Sequence, residues 1–485
     1  MVLELIAARI LAPYIGVSLY SWTSIIGVIL AGIALGNYLG GKIADRFASP
    51  TVLAMIFLAG SLATMAVLPA VKTIASADWF HHMPLMLDFV TKVLCIFFLP
   101  AIILSMVSPM VIKLTLADLG QTGGVVGTIY AFSTVGAIIG TFLTGFYFIL
   151  WFGTRMIVWL IAVILILTGI LAWFSWKIPG RWHLSSRNLI MWIITIIVII
   201  TSVILYQFRE SWQESYTKES NYYAIRVVDK YNAKELYLDH LVHSFVFPDD
   251  PTAFSYDYLR TFSDIVSHVT MENRTPSVLH LGGGGYSFPR YMEVIYPGSI
   301  NEVVEIDPAV TEVAYEELGL PRGTSIKTYN QDARLFLRQR NTEKKYNIVI
   351  GDVFNDLSTP YHLTTLEFDK LVKANIEADG IYLVNIIDDY LSGRYMPSFT
   401  YTLQHAFTYV YLFGTQVELT DATDSTAYAR KNTFVIAATD RQIDFGAYTY
   451  SLTGAKLSEY LAKRKPILLT DDYAPTDILV APIFR

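Results

Sequence analysis

Apolar residues are spread unevenly along the 485-residue chain: they form long runs over 1–207 and short runs broken by charge over 208–485. A bilayer-spanning helix needs about 20 apolar residues, and runs of that kind fall at 19–41, 51–71, 90–112, 123–150, 154–176 and 188–207. The opening MVLELIAARILAPYIG is too short to span alone and reads as the tail of a helix. Six full membrane helices and one partial helix are therefore expected. No basic stretch precedes the first apolar run, as a cleavable signal peptide would require. Gly32, Gly36 and Gly40 recur every fourth residue, as do Gly136 and Gly140, a spacing that predicts close helix packing in lipid. Glu4 and Arg9 lie roughly 140° apart around a helix, so they do not pair along one face and are expected to snorkel at an interface.

Beyond Tyr206 the pattern changes. Arg209 to Glu219 reads as a polar linker, and Tyr222–Val228 with Glu235–Leu241 predicts a hairpin. The expected plan is a transmembrane helical domain over 1–207, a linker over 208–220, a small β region over 221–250 and a Rossmann-like α/β domain over 251–485. Residues 254–269 have helical spacing. A strand at Val278–Leu281 then enters four glycines, Gly282 to Gly285, followed by a helix and a second strand ending at Asp307. Strand, glycine turn, helix and strand with a carboxylate at its tip is the opening unit of a nucleotide-binding sheet. Glu305 lies 23 residues beyond Gly282, close to the spacing at which an acid meets ribose hydroxyls. Further elements arrive in α/β order: a helix at 333–340, a strand at 346–350, a helix at 366–376, a strand at 381–387 and an antiparallel pair at 408–413 and 433–438. Glu305, Asp332 and Asp352 each fall at or just after a strand end, so all three are expected at one cleft.

Composition narrows the function classes. With 53% hydrophobic residues the chain is too apolar to be wholly soluble, and a net charge of −6 argues against a nucleic-acid partner. Cys95 is the only cysteine, which excludes an intrachain disulfide and a cysteine-based zinc site. The adjacent His81 and His82 point in different directions, so no metal is expected there. No full span carries the paired carboxylates or repeated basic residues of a pump or voltage sensor. Lys42, Arg46, Lys113, Lys177, Arg181 and Arg187 outnumber Lys72, Lys92 and Arg155 on the opposite side. By the positive-inside rule, six spans would then leave the α/β domain outside, whereas a cytosolic nucleotide substrate requires it in the cytoplasm. The chemistry is given precedence here.

The runs ESNYYAIRVVD (219–229), LYLDHLVHS (236–244), LGGGGYSFPR, VVEID, QDARLFL (331–337), IVIGDVFND (348–356) and LTTLEF (363–368) resemble the spermidine synthase-like aminopropyltransferases over most of 215–440. LTDDYAPTDIL (469–479) and the helical segments LELIAARILAP and LGNYLGGKIADR resemble the membrane-fused branch of that family. The resemblance implies roles by position. Gly282, Gly283 and Gly284 would lie beside the nucleoside and sulfonium, Glu305 would bind ribose, and Asp332 with Ala333 would contact adenine, with Asp307 at the strand tip in the same set. Asp352 would position and deprotonate the attacking amine, and Tyr256, Asp239, His243 and Asp356 would line the acceptor side. The departures concern mainly that acceptor side. Gly285 replaces an aspartate, Tyr223 a glutamine and Tyr258 a glutamate, LDG-x-x-Q becomes Leu238-Asp239-His240 followed by His243, and Leu357 breaks an aspartate-proline pair.

The implied reaction transfers an aminopropyl group from decarboxylated S-adenosylmethionine to an amine, either a polyamine or an amine-bearing lipid, without a metal and with a homodimer left open. The first alternative is an S-adenosylmethionine-dependent methyltransferase acting on a membrane substrate. The second is a transporter or sensor whose α/β domain only binds a nucleoside.

Overall fold

The computed structural model describes residues 1–15, 19–75, 84–116, 122–175, 216–239, 241–270, 275–340, 344–354, 359–415, 432–446 and 451–484. The chain forms two compact units, Met1–Val228 and Asp229–Arg485. The dividing point lies later than the expected 207, because one strand and most of a second belong with the helical unit.

Five helical segments among the described residues are long and apolar enough to cross a membrane: Tyr20–Phe47, Pro50–Ala75, Met86–Thr115, Thr122–Phe148 and Trp151–Trp173. The expected span at 188–207 and the pair His81–His82 lie outside the described residues. The partial first helix is α1 (Val2–Ile15). The others are α2 (Leu19–Phe47), α3 (Pro50–Ala70), α4 (Leu85–Ser105), α5 (Val107–Thr115), α6 (Thr122–Leu143) and α7 (Ile149–Ser175). Pro69 cannot donate its backbone bond, and α3 passes into a π turn at Val71–Ala75.

The first glycine stripe packs as expected. A Cβ on Gly32 would lie 2.6 Å from Ala101 Cβ, on Gly36 2.2 Å from the Ile102 carbonyl oxygen, and on Gly40 2.7 Å from Met106 Cα, so α2 and α4 approach backbone to backbone. At the second stripe, among the described residues, a Cβ on Gly136 would meet nothing within 4 Å and one on Gly140 only Val2 at 3.0 Å; the expected span at 188–207 lies outside the described residues.

Arg9 donates to the carbonyl oxygens of Ser220 and Tyr222. One expectation in this unit is corrected. Tyr216–Glu219, expected as linker, is a strand (β1) paired antiparallel with the first residues of β2 (Ala224–Lys230). Its sequence is polar, but Glu219 has a structural task. Gly153 takes a non-helical φ of 69°, and α7 restarts at Thr154, whose N–H and hydroxyl donate to Glu219 Oε1 at 2.9 and 2.7 Å. A carboxylate on free helical N–H groups is a favourable cap.

In the second unit β3 (Ala233–Leu238) and β4 (Leu241–Val246) pair antiparallel. The main sheet has eight strands among the described residues: β5 (Ser277–Leu281), β6 (Ile300–Val304), β7 (Lys327–Tyr329), β8 (Tyr346–Gly351), β9 (Ile376–Asp388), β10 (Tyr409–Gly414), β11 (Asn432–Thr439) and β12 (Ser451–Leu452), in the order β12-β10-β11-β9-β8-β5-β6-β7. Strands β9, β8, β5, β6 and β7 run parallel, and β11 enters antiparallel between β9 and β10. The three-residue β7 was not expected, being too short to show a period.

Parallel strands covered on both faces are apolar at nearly every position, and alternate residues here go to opposite layers. Val278, Ile348 and Ile350 pack with helices α8 (Asp257–Val269) and α9 (Ser287–Ile295). Helix α10 (Pro308–Glu316) follows β6. Leu279, Leu281 and Val349 pack with α11 (Ala333–Gln339), α12 (Leu366–Ala374) and α13 (Tyr395–Ala406). The two layers fix the carboxyl ends of β5, β6, β7 and β8 along one edge of the sheet, where Gly282, Glu305, Asp332 and Asp352 follow.

Candidate active site

The glycine turn after β5 is glycine for steric reasons. Gly282 has φ +93°, and a Cβ there would lie 2.2 Å from the Asp352 carbonyl oxygen; Gly284 has φ +48°. The N–H groups of Gly283 and Gly284 donate to Glu305 Oε2 at 2.9 and 3.3 Å, and that of Asp307 donates to Oε1 at 3.0 Å. Burial pushes the Glu305 carboxyl above its ordinary value, and the three amide bonds oppose that shift. Asn330 donates to the Glu305 carbonyl oxygen at 3.2 Å and fastens the end of β7 to the same corner.

Strand β4 leaves no room for a side chain at Gly285. A Cβ at Gly285 would lie 2.5 Å from Val246 Cγ2 and 2.7 Å from Ser244 Cβ, and its N–H donates to Ser244 Oγ at 2.8 Å. Ser244 was not singled out in the sequence. Since Ser244 and Val246 turn toward the glycines, strand alternation turns His243 to the other face of β4. Burial lowers the His243 imidazole to about 4, so it is neutral at pH 7. Asp239 is buried in the β3–β4 turn at φ +54°.

Two of the expected nucleoside-side acids are helix caps. Asp307 precedes Pro308 and accepts from Ala309 N at 2.9 Å at the start of α10. Asp-Pro at a helix start is itself a capping signal. Asp332 caps α11, accepting from Leu335 N at 2.9 Å, and its second oxygen lies 2.8 Å from His362 Nε2. The His362 hydrogen bond is the main cause that holds the Asp332 carboxyl below its ordinary value. Ala333 is buried in the core beside Phe336 and Leu337. Arg334 makes two bonds to Asp471, at 2.7 and 2.5 Å, and Thr365 Oγ1 donates to the same carboxylate at 2.7 Å. The LTDDYAP segment is thereby tied to the starts of α11 and α12.

Asp352 does not cap a helix. Its N–H donates to the Leu281 carbonyl oxygen at 2.9 Å, seating it against the start of the glycine turn. Tyr258 OH donates to Oδ2 at 2.9 Å and Asn385 Nδ2 to Oδ1 at 3.0 Å. Burial pushes the carboxyl up, and these two bonds pull it down. Tyr256 stacks on Tyr258 with ring centroids 5.9 Å apart and donates to the Val242 carbonyl oxygen at 3.4 Å. Burial pushes its hydroxyl to about 12. Asp356 and His240 lie outside the described residues. Tyr258 as a donor, Asn385 and His362 were missed in the sequence. The tyrosine two positions after Tyr256 was the available signal for the first, while nothing local marks the other two.

Next along the sheet, Asp388 ends β9 and accepts from Met396 N at 2.7 Å and Asp389 N at 2.9 Å. Burial pushes its carboxyl from 3.8 to about 6. Between those values the folded chain keeps a proton that the unfolded chain has lost. Stability from this group is therefore full below the lower value and is lost as pH rises through the upper one, by about 3 kcal/mol. Thermal midpoints from pH 4.5 to 7 should fall more steeply for the parent chain than for Asp388→Asn; parallel curves would contradict the assignment.

No family model matches the chain. It is 30% identical over 109 residues to a polyamine aminopropyltransferase of Vibrio vulnificus (strain CMCP6), covering 22% of this chain and 36% of that one. It is 33% identical over 99 residues to an N-terminal histidine N-methyltransferase of Emericella nidulans, covering 20% of this chain and 17% of that one. The matched part of the chain thus spans about a third of the first relative's length and less of the second's. A solved structure of a probable spermidine synthase from Corynebacterium glutamicum ATCC 13032 is 19% identical, covers 54% of this chain and 97% of that one, and has a TM-score of 0.44. Part of the chain is similar to both an aminopropyltransferase and a methyltransferase.

Proposed function

We propose that this chain is a membrane-anchored transferase that moves an aminopropyl group from decarboxylated S-adenosylmethionine to an amine, with its α/β domain in the cytoplasm. The carrying observation is Asp352, a half-buried carboxylate seated against the glycine turn and held through both oxygens. The nucleoside side fits a ribose: a turn in which side chains are excluded lies against Glu305, whose Oε1 keeps one acceptor position after the carboxylate's three amide bonds.

When bound, a sulfonium nucleoside supplies an electrophilic carbon and a neutral thioether leaving group. The chain's own residues orient the partners and take a proton. The amine lone pair forms the new C–N bond as the C–S bond breaks with its electrons staying on sulfur, and Asp352 accepts the proton the nitrogen loses. Tyr258 and Asn385 keep the carboxylate turned toward that nitrogen.

Purified full-length chain in detergent, given decarboxylated S-adenosylmethionine and a panel of amines, should release methylthioadenosine only when an acceptor is present. No release with any amine would overturn the assignment. The similarity to a methyltransferase supports a second reading, methyl transfer from S-adenosylmethionine. Calorimetry with the two nucleosides separates them, because a clear preference for the carboxylated form favours methyl transfer.

A further inference from the structure

The segment LTDDYAP (469–475) has no part in the reaction above, yet it is closely fastened. The Leu469 carbonyl oxygen accepts from Leu366 N at 2.9 Å, and Thr470 and Tyr473 exchange backbone bonds at 3.1 and 3.0 Å, closing a tight turn around Asp471. The Asp471 carboxylate takes both arms of Arg334 and the Thr365 hydroxyl, and its N–H donates to Glu367 Oε2 at 3.0 Å. Arg334 Nη1 also donates to the His362 carbonyl oxygen at 3.0 Å. His362 Nε2 in turn lies 2.8 Å from Asp332 Oδ2. The Asp332 carboxyl is held below its ordinary value, so it is ionised and offers only lone pairs; Nε2 therefore carries the proton. A chain of contacts thus runs from Asp471 through Arg334 and His362 to Asp332.

Strand order says what Asp332 faces. Strands β8, β5, β6 and β7 are neighbours in that order, and their carboxyl ends lead into Asp352, the glycine turn, Glu305 and Asp332. Resting on the transferase reading above, the reacting sulfur lies at Asp352 and the ribose at Glu305, so the base extends to the end of β7. Three strand spacings, about 14 Å, separate the outer two acids, a distance that a nucleoside bonded at both ends covers. Asp332 is half-buried, and each of its oxygens keeps an acceptor position after the bonds to Leu335 N and His362. We propose that LTDDYAP sets the base selectivity of the nucleoside site, with Asp471 and His362 as positioning residues that hold Asp332 toward an exocyclic amino group on the base. An amino group donates to the carboxylate, whereas an oxo group turns lone pairs toward it and leaves it unpaired. Without His362 the carboxylate keeps its cap on α11 but loses the second point that fixes its plane.

The test uses the intact chain in detergent and calorimetry with 5′-methylthioadenosine and 5′-methylthioinosine, which carry an amino and an oxo group at the same position of the base. The parent chain is expected to bind the amino form about tenfold tighter or more. His362→Ala should weaken the amino form about five- to tenfold and leave the oxo form near its parent affinity, so that the ratio collapses. His362→Gln restores an N–H at similar reach and should recover most of the ratio, and Asp471→Ala should lower it in the same sense. A ratio unmoved in His362→Ala overturns the inference. So does an equal loss for both nucleosides, the mark of a merely structural role, or a glutamine that recovers none of the ratio. The His362 side chain is 35% exposed, so its variants decide the question even where Asp471→Ala fails to fold. Binding of neither nucleoside to the parent chain strikes the transferase reading and this inference together; binding of both with an unmoved ratio strikes this inference alone.

Discussion

Asp352→Asn is expected to lower the acceptor-dependent release of methylthioadenosine by about 10²- to 10⁴-fold while leaving nucleoside affinity near that of the parent chain. An alkylamine with pKa near 10.4 is neutral in only about one molecule in 2,500 at pH 7, so presenting it as free base costs roughly 4–5 kcal/mol. A carboxylate at the site recovers part of that cost, by attracting the ammonium and then taking its proton. Burial raises the Asp352 pKa, which makes it a better base than an exposed aspartate. Below that raised value it is protonated, so turnover should fall on an acid limb above the ordinary carboxylate range. Asparagine removes the base and that limb together, but keeps the side-chain shape and leaves the backbone bond to Leu281 intact. Glu305 and the glycine turn are untouched, so nucleoside binding measured by calorimetry should hold. Turnover within tenfold of the parent chain would remove Asp352 from the base role.

Much of this site was legible because its requirements are local. Four glycines after an apolar run announce a turn in which side chains do not fit, and Gly282 meets a backbone oxygen just as such a turn demands. The acids at the ends of β6 and β8 follow from strand order alone, whereas the three-residue β7 ahead of Asp332 was too short to read. Partners fixed only by the approach of distant segments were not legible. His362 lies 30 residues from Asp332 and Asn385 33 from Asp352, and neither separation matches a helical or strand period. The polar segment Tyr216–Glu219 read as linker because its reason to be ordered, the helix restart at Thr154, is 65 residues away. The insertion of β11 between β9 and β10 is hidden for a related reason. Apolar runs say that a strand is buried, but not which neighbour covers it. Asp307 carries two signals at once: its strand-tip position fits a ligand-binding role, and the following proline marks a helix cap.

Gly282→Ala is the substitution expected to damage the site most without touching a polar group. At φ +93° an L-residue is strained by roughly 1–2 kcal/mol, and its methyl would lie 2.2 Å from the Asp352 carbonyl oxygen and 3.2 Å from Val353 Cγ1. That oxygen cannot retreat freely, because the Asp352 N–H is bound to the Leu281 carbonyl oxygen at 2.9 Å. Relief must come from moving either the turn or the segment that carries the base, and overpacking of this kind costs a further 1–3 kcal/mol or about that. Either shift spoils the relation between the glycine amides and Asp352, so nucleoside affinity and turnover should both fall by about 100-fold or more. Gly284→Ala supplies the control. Its φ of +48° lies in the left-handed region that other residues enter at modest cost, and its methyl would meet only Ser244 Oγ, at 3.1 Å. Calorimetry and turnover on the pair should rank Gly282→Ala far below Gly284→Ala. Equal, small losses would mean that the turn does not press on Asp352, and the coupling between cradle and base would fall with it.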